Sequence, residues 1–290
     1  MRNHAKHNHS LKPHQTVNIS RAFWINSGFA ILELIGGLLT NSVAILSDAL
    51  HDFGDSISLG ISWALQKRAN KAENSRYTYG YHRLSLIGAI INSFILVVGC
   101  VFILYKAIER FKYPEEVHTW GMLFLALIGI GVNYWVYLNL KKGTSLNEKV
   151  VALHFIEDIL GWIAVLIGSV IIKFTNALWI DPLLSVLIAG YILVNVYKNL
   201  NSTFLIILQA APKGVDIKNI ENKLNKFEGV ISIHDIHCWS LDGEFNIITY
   251  HVQVESSTSQ EKIANIKEEM REYLLSKNIH HATIEVEYLD

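Results

Sequence analysis

Apolar residues run in six long blocks before residue 212, near 19–39, 43–65, 84–109, 119–140, 150–173 and 181–208. Each is long enough to cross a hydrocarbon core of about 30 Å, which takes roughly 20 helical residues. The pattern predicts six transmembrane helices, with tight turns at Thr40-Asn41-Ser42 and around Thr175-Asn176-Ala177 and a longer connection over 66–83. In the second block Asp48, His51, Asp52, Asp55, Ser58 and Ser62 recur at spacings of three and four, a polar stripe that must turn into a bundle while the apolar side meets lipid. The fifth block repeats the device with His154, Glu157, Asp158 and Gly161. The first offers Asn26 and Glu33, the sixth opens on Asp181-Pro182, and the third and fourth carry little beyond Asn92, Ser93 and Asn133 and read as scaffold.

After Pro212 and Gly214 the spacing becomes that of a small soluble domain. Ile217, Ile220, Leu224 and Phe227 mark a helix, and 230–240 and 245–255 read as strands around an Asp242-Gly243 turn. Ile263, Ile266, Met270, Tyr273 and Leu274 mark a second helix, and 282–288 a last strand. The order αββαβ predicts a ferredoxin-like sheet covered on one face by two helices. The expected organisation is a histidine-containing tail over 1–18 with His4, His7, His9 and His14, a six-helix membrane domain over 19–211, and a soluble α+β domain over 212–290.

The polar stripes carry the chemistry. An ionisable side chain inside a bilayer costs roughly 2.5–3.5 kcal/mol even on insertion scales, so four close together must face a partner, a cavity or an ion. His51 with Asp55 and His154 with Asp158 are spaced i, i+4, which sets each pair one turn apart on one helical face. Two imidazoles and two carboxylates make the ligand count and type of a tetrahedral zinc site, and the same donors suit Co²⁺, Fe²⁺, Ni²⁺ or Cd²⁺. Hydrogen bonding between helices accounts for a single buried His or Asp, but it needs neither an acid nor a repeat at fixed spacing. Asp48, Asp52 and Glu157 are left to support the site, to line its access path, or to be solvated in a cavity. In the soluble part His234, His237, His251, His280, His281, Glu285 and Glu287 crowd into three strands and the turn before the last. That face fits ordinary solvated surface, a metal site or a subunit contact.

Composition agrees with a polytopic membrane protein: of 290 residues, 51% are hydrophobic and 18% charged. The formal net charge of -1 gives no basic face for nucleic acid. Cys100 and Cys238 fall in an apolar span and a soluble strand, which argues against a disulfide between them. The first eighteen residues contain no apolar run of a cleavable signal, so the first span is expected to act as the anchor. Lys and Arg concentrate before span one, between spans two and three, and between four and five, which predicts cytoplasmic termini.

The stretch from Asn41-Ser42 to Ser47-Asp48-Ala49-Leu50-His51-Asp52-Phe53-Gly54-Asp55, then Tyr77-Thr78-Tyr79-Gly80-Tyr81-His82-Arg83, His154 to Asp158, Asp181-Pro182 and His234-Asp235-Ile236-His237-Cys238-Trp239-Ser240 together resemble the cation diffusion facilitator family. The resemblance implies six membrane helices, a ferredoxin-like cytoplasmic domain, a homodimer, and exchange of a divalent metal for protons, here out of the cytoplasm across the plasma membrane. It places the transport site on His51, Asp55, His154 and Asp158, with His51 favouring Zn²⁺ over Cd²⁺, and leaves Co²⁺, Fe²⁺ and Mn²⁺ as possible cargo. It places cytoplasmic ligands on His234, His251, His280 and Glu287, with Zn²⁺ the expected ion there too. The family's histidine-rich loop between spans four and five is absent over Lys141–Lys149, and His82 stands alone as support for a loop site. An intramembrane metalloenzyme would need an open position for water, which two matched pairs do not leave, and no HExxH occurs. A metal sensor would not need acids at mid-membrane.

Overall fold

The computed structural model describes residues 13–69, 74–141 and 146–289. His4, His7 and His9 of the expected tail lie outside the described residues, as do the side chains of His14, Ser58 and Ser62. Six long helices come first: α1 (Pro13–Thr40), α2 (Val43–Ala69), α3 (Leu84–Lys112), α4 (Thr119–Leu140), α5 (Leu146–Thr175) and α6 (Ile180–Ile207). All except α2 are long and apolar enough to cross a membrane by composition among the described residues. Several helices start earlier or end later than their apolar blocks, because a helix continues past the hydrocarbon as long as its backbone is hydrogen-bonded, and hydropathy does not mark that end.

The two tight turns use asparagine. Asn41 and Asn176, each directly after a helix, take left-handed φ values of 55°, which asparagine tolerates better than most residues. Ser42 then caps α2, its Oγ accepting from the Ile45 N–H at 3.2 Å.

By contacts the chain falls into two compact units, 1–63 with 91–197, and 64–90 with 198–290. In this division by contacts the ends of α2, α3 and α6 group with the second unit. In the first unit Phe29, Ala44, Ile45, Met122, Ala126, Trp162 and Val165 form a buried cluster. Close approach depends on small residues, as in other membrane bundles. Leu96 of α3 fills the space over Gly54 of α2, and Leu50 of α2 that over Gly99 of α3. A Cβ on Gly129 would sit 2.4 Å from two atoms of the Trp162 ring. Trp162 is fully buried and rigid, so Gly129→Ala is expected to lower stability by about 1–3 kcal/mol through overpacking, read as a lower thermal midpoint in detergent.

In the second unit α7 (Ile217–Leu224), β1 (Ser232–Ser240), β2 (Asn246–Glu255), α8 (Gln260–Ser276) and β3 (Ile279–Leu289) follow in the expected order. The sheet runs β1-β2-β3, with β1 antiparallel and β2 parallel to its neighbour, the latter joined through the α8 crossover. Ile220 and Leu224 of α7 and Ile263, Ile266, Met270 and Leu274 of α8 share one core with Ile233, Ile248, Tyr250, Val252 and Ile284. β3 starts three residues earlier than the apolar alternation indicates, so His280 and His281 belong to the strand and not to the turn before it. In β1 the pairing slips between His234 and His237, where Asp235 has φ 52°. This bulge adds one residue, twists the strand and returns His237 to the side that His234 occupies.

Candidate metal centres

The stripe on α2 meets the stripe on α5. His154 Nε2 lies 3.0 Å from Asp55 Oδ2, and His51 Nε2 lies 3.8 Å from the same oxygen. The His51 and His154 rings meet edge to face at 5.7 Å. One donor atom from each of His51, Asp55 and His154 falls within 4.8 Å of the other two, the spread a single ion can bridge. His154 Nε2 has no partner in hydrogen-bond geometry despite its short distance to Asp55, so the pair is packed without being a directed hydrogen bond.

Asp158 is placed differently from the other three. Its Oδ2 is 3.7 Å from His154 Nε2, and with His154 it groups with Asp52, again within 4.8 Å. The structure thus brings the four sequence-predicted residues to one place, but as two overlapping sets that share His154. Asp48 is buried close by, its Oδ1 facing Gly161 of α5. Glu157 is not part of the cluster: it is exposed, and its Oε2 accepts from the Tyr191 hydroxyl at 2.7 Å.

At the α2 N-terminus, fully buried Asp181 of α6 accepts from the Ser42 hydroxyl at 2.5 Å and from the Val43 and Ala44 N–H groups at 2.9 and 3.4 Å. Arg110 of α3 lies 3.8 Å from Asp181 and also bonds to Asn41 and to Glu115. A carboxylate at a helix N-terminus neutralises the dipole and satisfies free N–H groups. This clasp ties together the ends of α1, α2, α3 and α6.

On the sheet, cross-strand pairing sets His234 opposite His251 and His251 opposite Glu285. His251 Nδ1 is 2.8 Å from Glu287 Oε1, and His234 Nε2 is 3.3 Å from Glu287 Oε2. His234, His251 and Glu287 offer donor atoms within 4.8 Å of one another. His280 is not with them. It stacks on Phe245 at 5.2 Å near the start of β3, seven residues before Glu287. Seven residues of strand span about 23 Å, beyond the reach of one ion. Asp235, which sequence reasoning missed as a participant, reaches His237 Nε2 at 3.0 Å and His251 Nε2 at 3.5 Å. The bulge aims it, and no periodicity rule foresees a bulge at that position.

The Glu287 carboxylate beside it raises His251 above the ordinary histidine value, and hydrogen bonds from Gln253 and then His251 hold Glu287 below the ordinary carboxylate value. The histidine part of this pairing is fully present below about pH 6.5 and is lost as pH rises through the raised value; the glutamate part is present above about pH 4.3 and is lost as pH falls through the lowered one. A metal must displace the His251 proton, so affinity at this cluster is expected to rise from about pH 6 to pH 8, more steeply than for an isolated histidine. Zinc titration of the full chain carrying His51→Ala and His154→Ala isolates the cluster and checks this.

The loop after α2 also reaches the soluble part. His82 Nδ1 lies 2.7 Å from Asp242 Oδ2, and its ring is 5.1 Å from Phe245. Burial tends to raise the Asp242 carboxyl, but His82 and the Phe245 and Glu244 N–H groups outweigh it and hold it below the usual value. His82 therefore has a carboxylate partner in the hairpin turn, which accounts for this histidine in the loop without a metal.

Residues 19–208 match the cation efflux transmembrane domain, and 212–289 match the cytoplasmic domain of cation efflux proteins. A cadmium, cobalt and zinc/H(+)-K(+) antiporter of Bacillus velezensis is 35% identical over 97% of this chain and 91% of its own length. A metal cation efflux system protein of Cupriavidus metallidurans is 31% identical, covering 98% and 90%. A zinc transporter of Escherichia coli is 30% identical, covering 92% and 86%.

Proposed function

Because the chain belongs to the cation efflux family, as a multi-pass membrane transporter and not an enzyme, we propose that it exports Zn²⁺ from the cytoplasm in exchange for protons. The observation that carries the reading is the meeting of His51 and Asp55 from α2 with His154 and Asp158 from α5, imidazole and carboxylate together inside an apolar bundle. Nitrogen and oxygen donors of this kind suit zinc, and the names of the relatives keep cadmium and cobalt as alternative cargo. Coupling follows from the ligands. Histidine must be neutral and aspartate ionised to hold a cation, so protons returning from outside displace the ion and complete the cycle.

In this reading all six long helices span the membrane with both termini cytoplasmic, and the sheet with its two helices is ferredoxin-like and forms the contact of a homodimer. His234, His251 and Glu287 hold a Zn²⁺ there; the two imidazoles and one carboxylate already face one point and leave a fourth position open. Such an ion biases transport only as far as it binds one state of the dimer better than another.

The test is flux in proteoliposomes with an acidic lumen and the cytoplasmic face outward. Zinc added outside is expected to enter while the pH gradient collapses, faster than cadmium, cobalt, iron or manganese. Zinc entry with no movement of protons would refute the exchange, and no entry of any metal would refute the transporter reading for this chain.

A further inference from the structure

The two overlapping metal groups differ in depth and in charge. In the outer one, the side chains of His51, Asp55 and His154 retain 15%, 28% and 27% of their surface. In the inner one Asp52 and Asp158 retain 1% and 4%. The outer group supplies one carboxylate to a divalent ion and the inner group two. Beside the inner group Glu33 of α1 is fully buried against Asp52. Neither Glu33 oxygen accepts a hydrogen bond, and the same holds for Asp52 Oδ2, Asp158 Oδ2 and Asn26 Oδ1. Buried carboxylate oxygens without donors are costly wherever the dielectric constant is low, and a cation among them relieves both desolvation and mutual repulsion. Helix-to-helix hydrogen bonding leaves these oxygens without a partner in hydrogen-bond geometry among the described residues.

We propose that the transported ion has a second, deeper resting position held by Asp52, Asp158 and His154, with Glu33 closing it from α1. The inference rests on the transport reading and adds a step to it. His154 Nε2 lies 3.0 Å from Asp55 on one side and 3.7 Å from Asp158 on the other, and its one lone pair binds one ion at a time. The two positions are therefore alternatives for a single ion, and His154 is the ligand common to both. Moving inward trades the His51 imidazole and the Asp55 carboxylate for two carboxylates, with a third behind them. The inner position neutralises the dication while burying it more deeply than the outer one. Sharing one histidine lets the ion change places without losing all its ligands at once.

Cysteine can report where the ion goes, independently of flux. Cobalt(II) coordinated by a thiolate gives a near-ultraviolet charge-transfer band that carboxylate and imidazole ligands do not. The purified full chain is titrated with Co²⁺ as wild type, Asp55→Cys, Asp52→Cys and Phe53→Cys. Phe53 is half exposed, and the wild type with Cys100 and Cys238 sets the baseline. The band is expected at positions 55 and 52 and is expected to be absent at 53 and in the wild type. A band at 55 without one at 52 overturns the inner position and leaves the transport site standing. A band at neither overturns the transport site itself. The second variant is Glu33→Gln, in a His234→Ala background so that calorimetry reads the membrane site. Zinc affinity is expected to stay within about threefold while maximal flux falls about tenfold or more at unchanged half-saturation. Wild-type maximal flux in Glu33→Gln would overturn the role of Glu33 and with it the closed inner position.

Discussion

Alanine at Asp55 or His154 is expected to reduce zinc uptake into inverted membrane vesicles by about a hundredfold or more, with protein levels unchanged. Even residues that only orient a metal ligand typically cost 10–100-fold when removed, and these two touch the ion in the proposed site. Asp55 supplies the carboxylate of the outer group, with both histidine rings turned to its Oδ2. Without it two neutral imidazoles would face a dication in a low-dielectric setting. His154 belongs to both groups, so its loss removes the ligand that links them. Folding is expected to survive both changes, because each removes an ionisable group that already lacks well-formed hydrogen bonds. Wild-type uptake by either variant would remove the site assignment on which the proposed function stands.

Asp181→Ala is expected to lower the thermal midpoint of the detergent-solubilised protein by about 6–10 °C, corresponding to a loss of about 3 kcal/mol. The fully buried carboxylate accepts from Ser42, Val43 and Ala44, and Arg110 stands 3.8 Å away. Truncation strands three donors at a helix N-terminus and takes one carboxylate from the cation, which keeps Asn41 and Glu115. Asp181→Asn keeps an acceptor and loses the charge, so it should fall between alanine and wild type. Unchanged melting in the alanine variant would mean that the clasp does not hold these helix ends.

Some of this was legible in the chain before any coordinates. The stripes of α2 and α5 could be read because a helix converts spacing into direction, and polar residues at three and four inside an apolar run have only one way to face. The soluble helices and strands could be read for the same reason from their apolar periods. Asp181 was legible as a helix start through its proline, but not as the cap of a different helix, since nothing local ties it to Ser42. Arg110 lies just past its apolar block, and nothing local ties it to Asp181 either. Glu33 was visible as a buried acid, yet its neighbour Asp52 could not be named, because residues nineteen apart on two helices meet only through the bundle.

The soluble cluster divides in the same way. Glu285 and Glu287 alternate with Ile284 and Val286, and that alternation alone separates them from the core. Which histidines join Glu287 depends on strand register and on a one-residue bulge at Asp235, and these leave His280 stacked on Phe245 at the far end of its strand. By itself the sequence determined the membrane class, the two ion-seeking stripes and the αββαβ order, because each follows from interactions within one segment. Only the tertiary structure decided that Asp158 leans toward Asp52, that Asp181 caps α2 and that His82 meets Asp242. Those are contacts between distant segments, and packing across the whole bundle and sheet selects them.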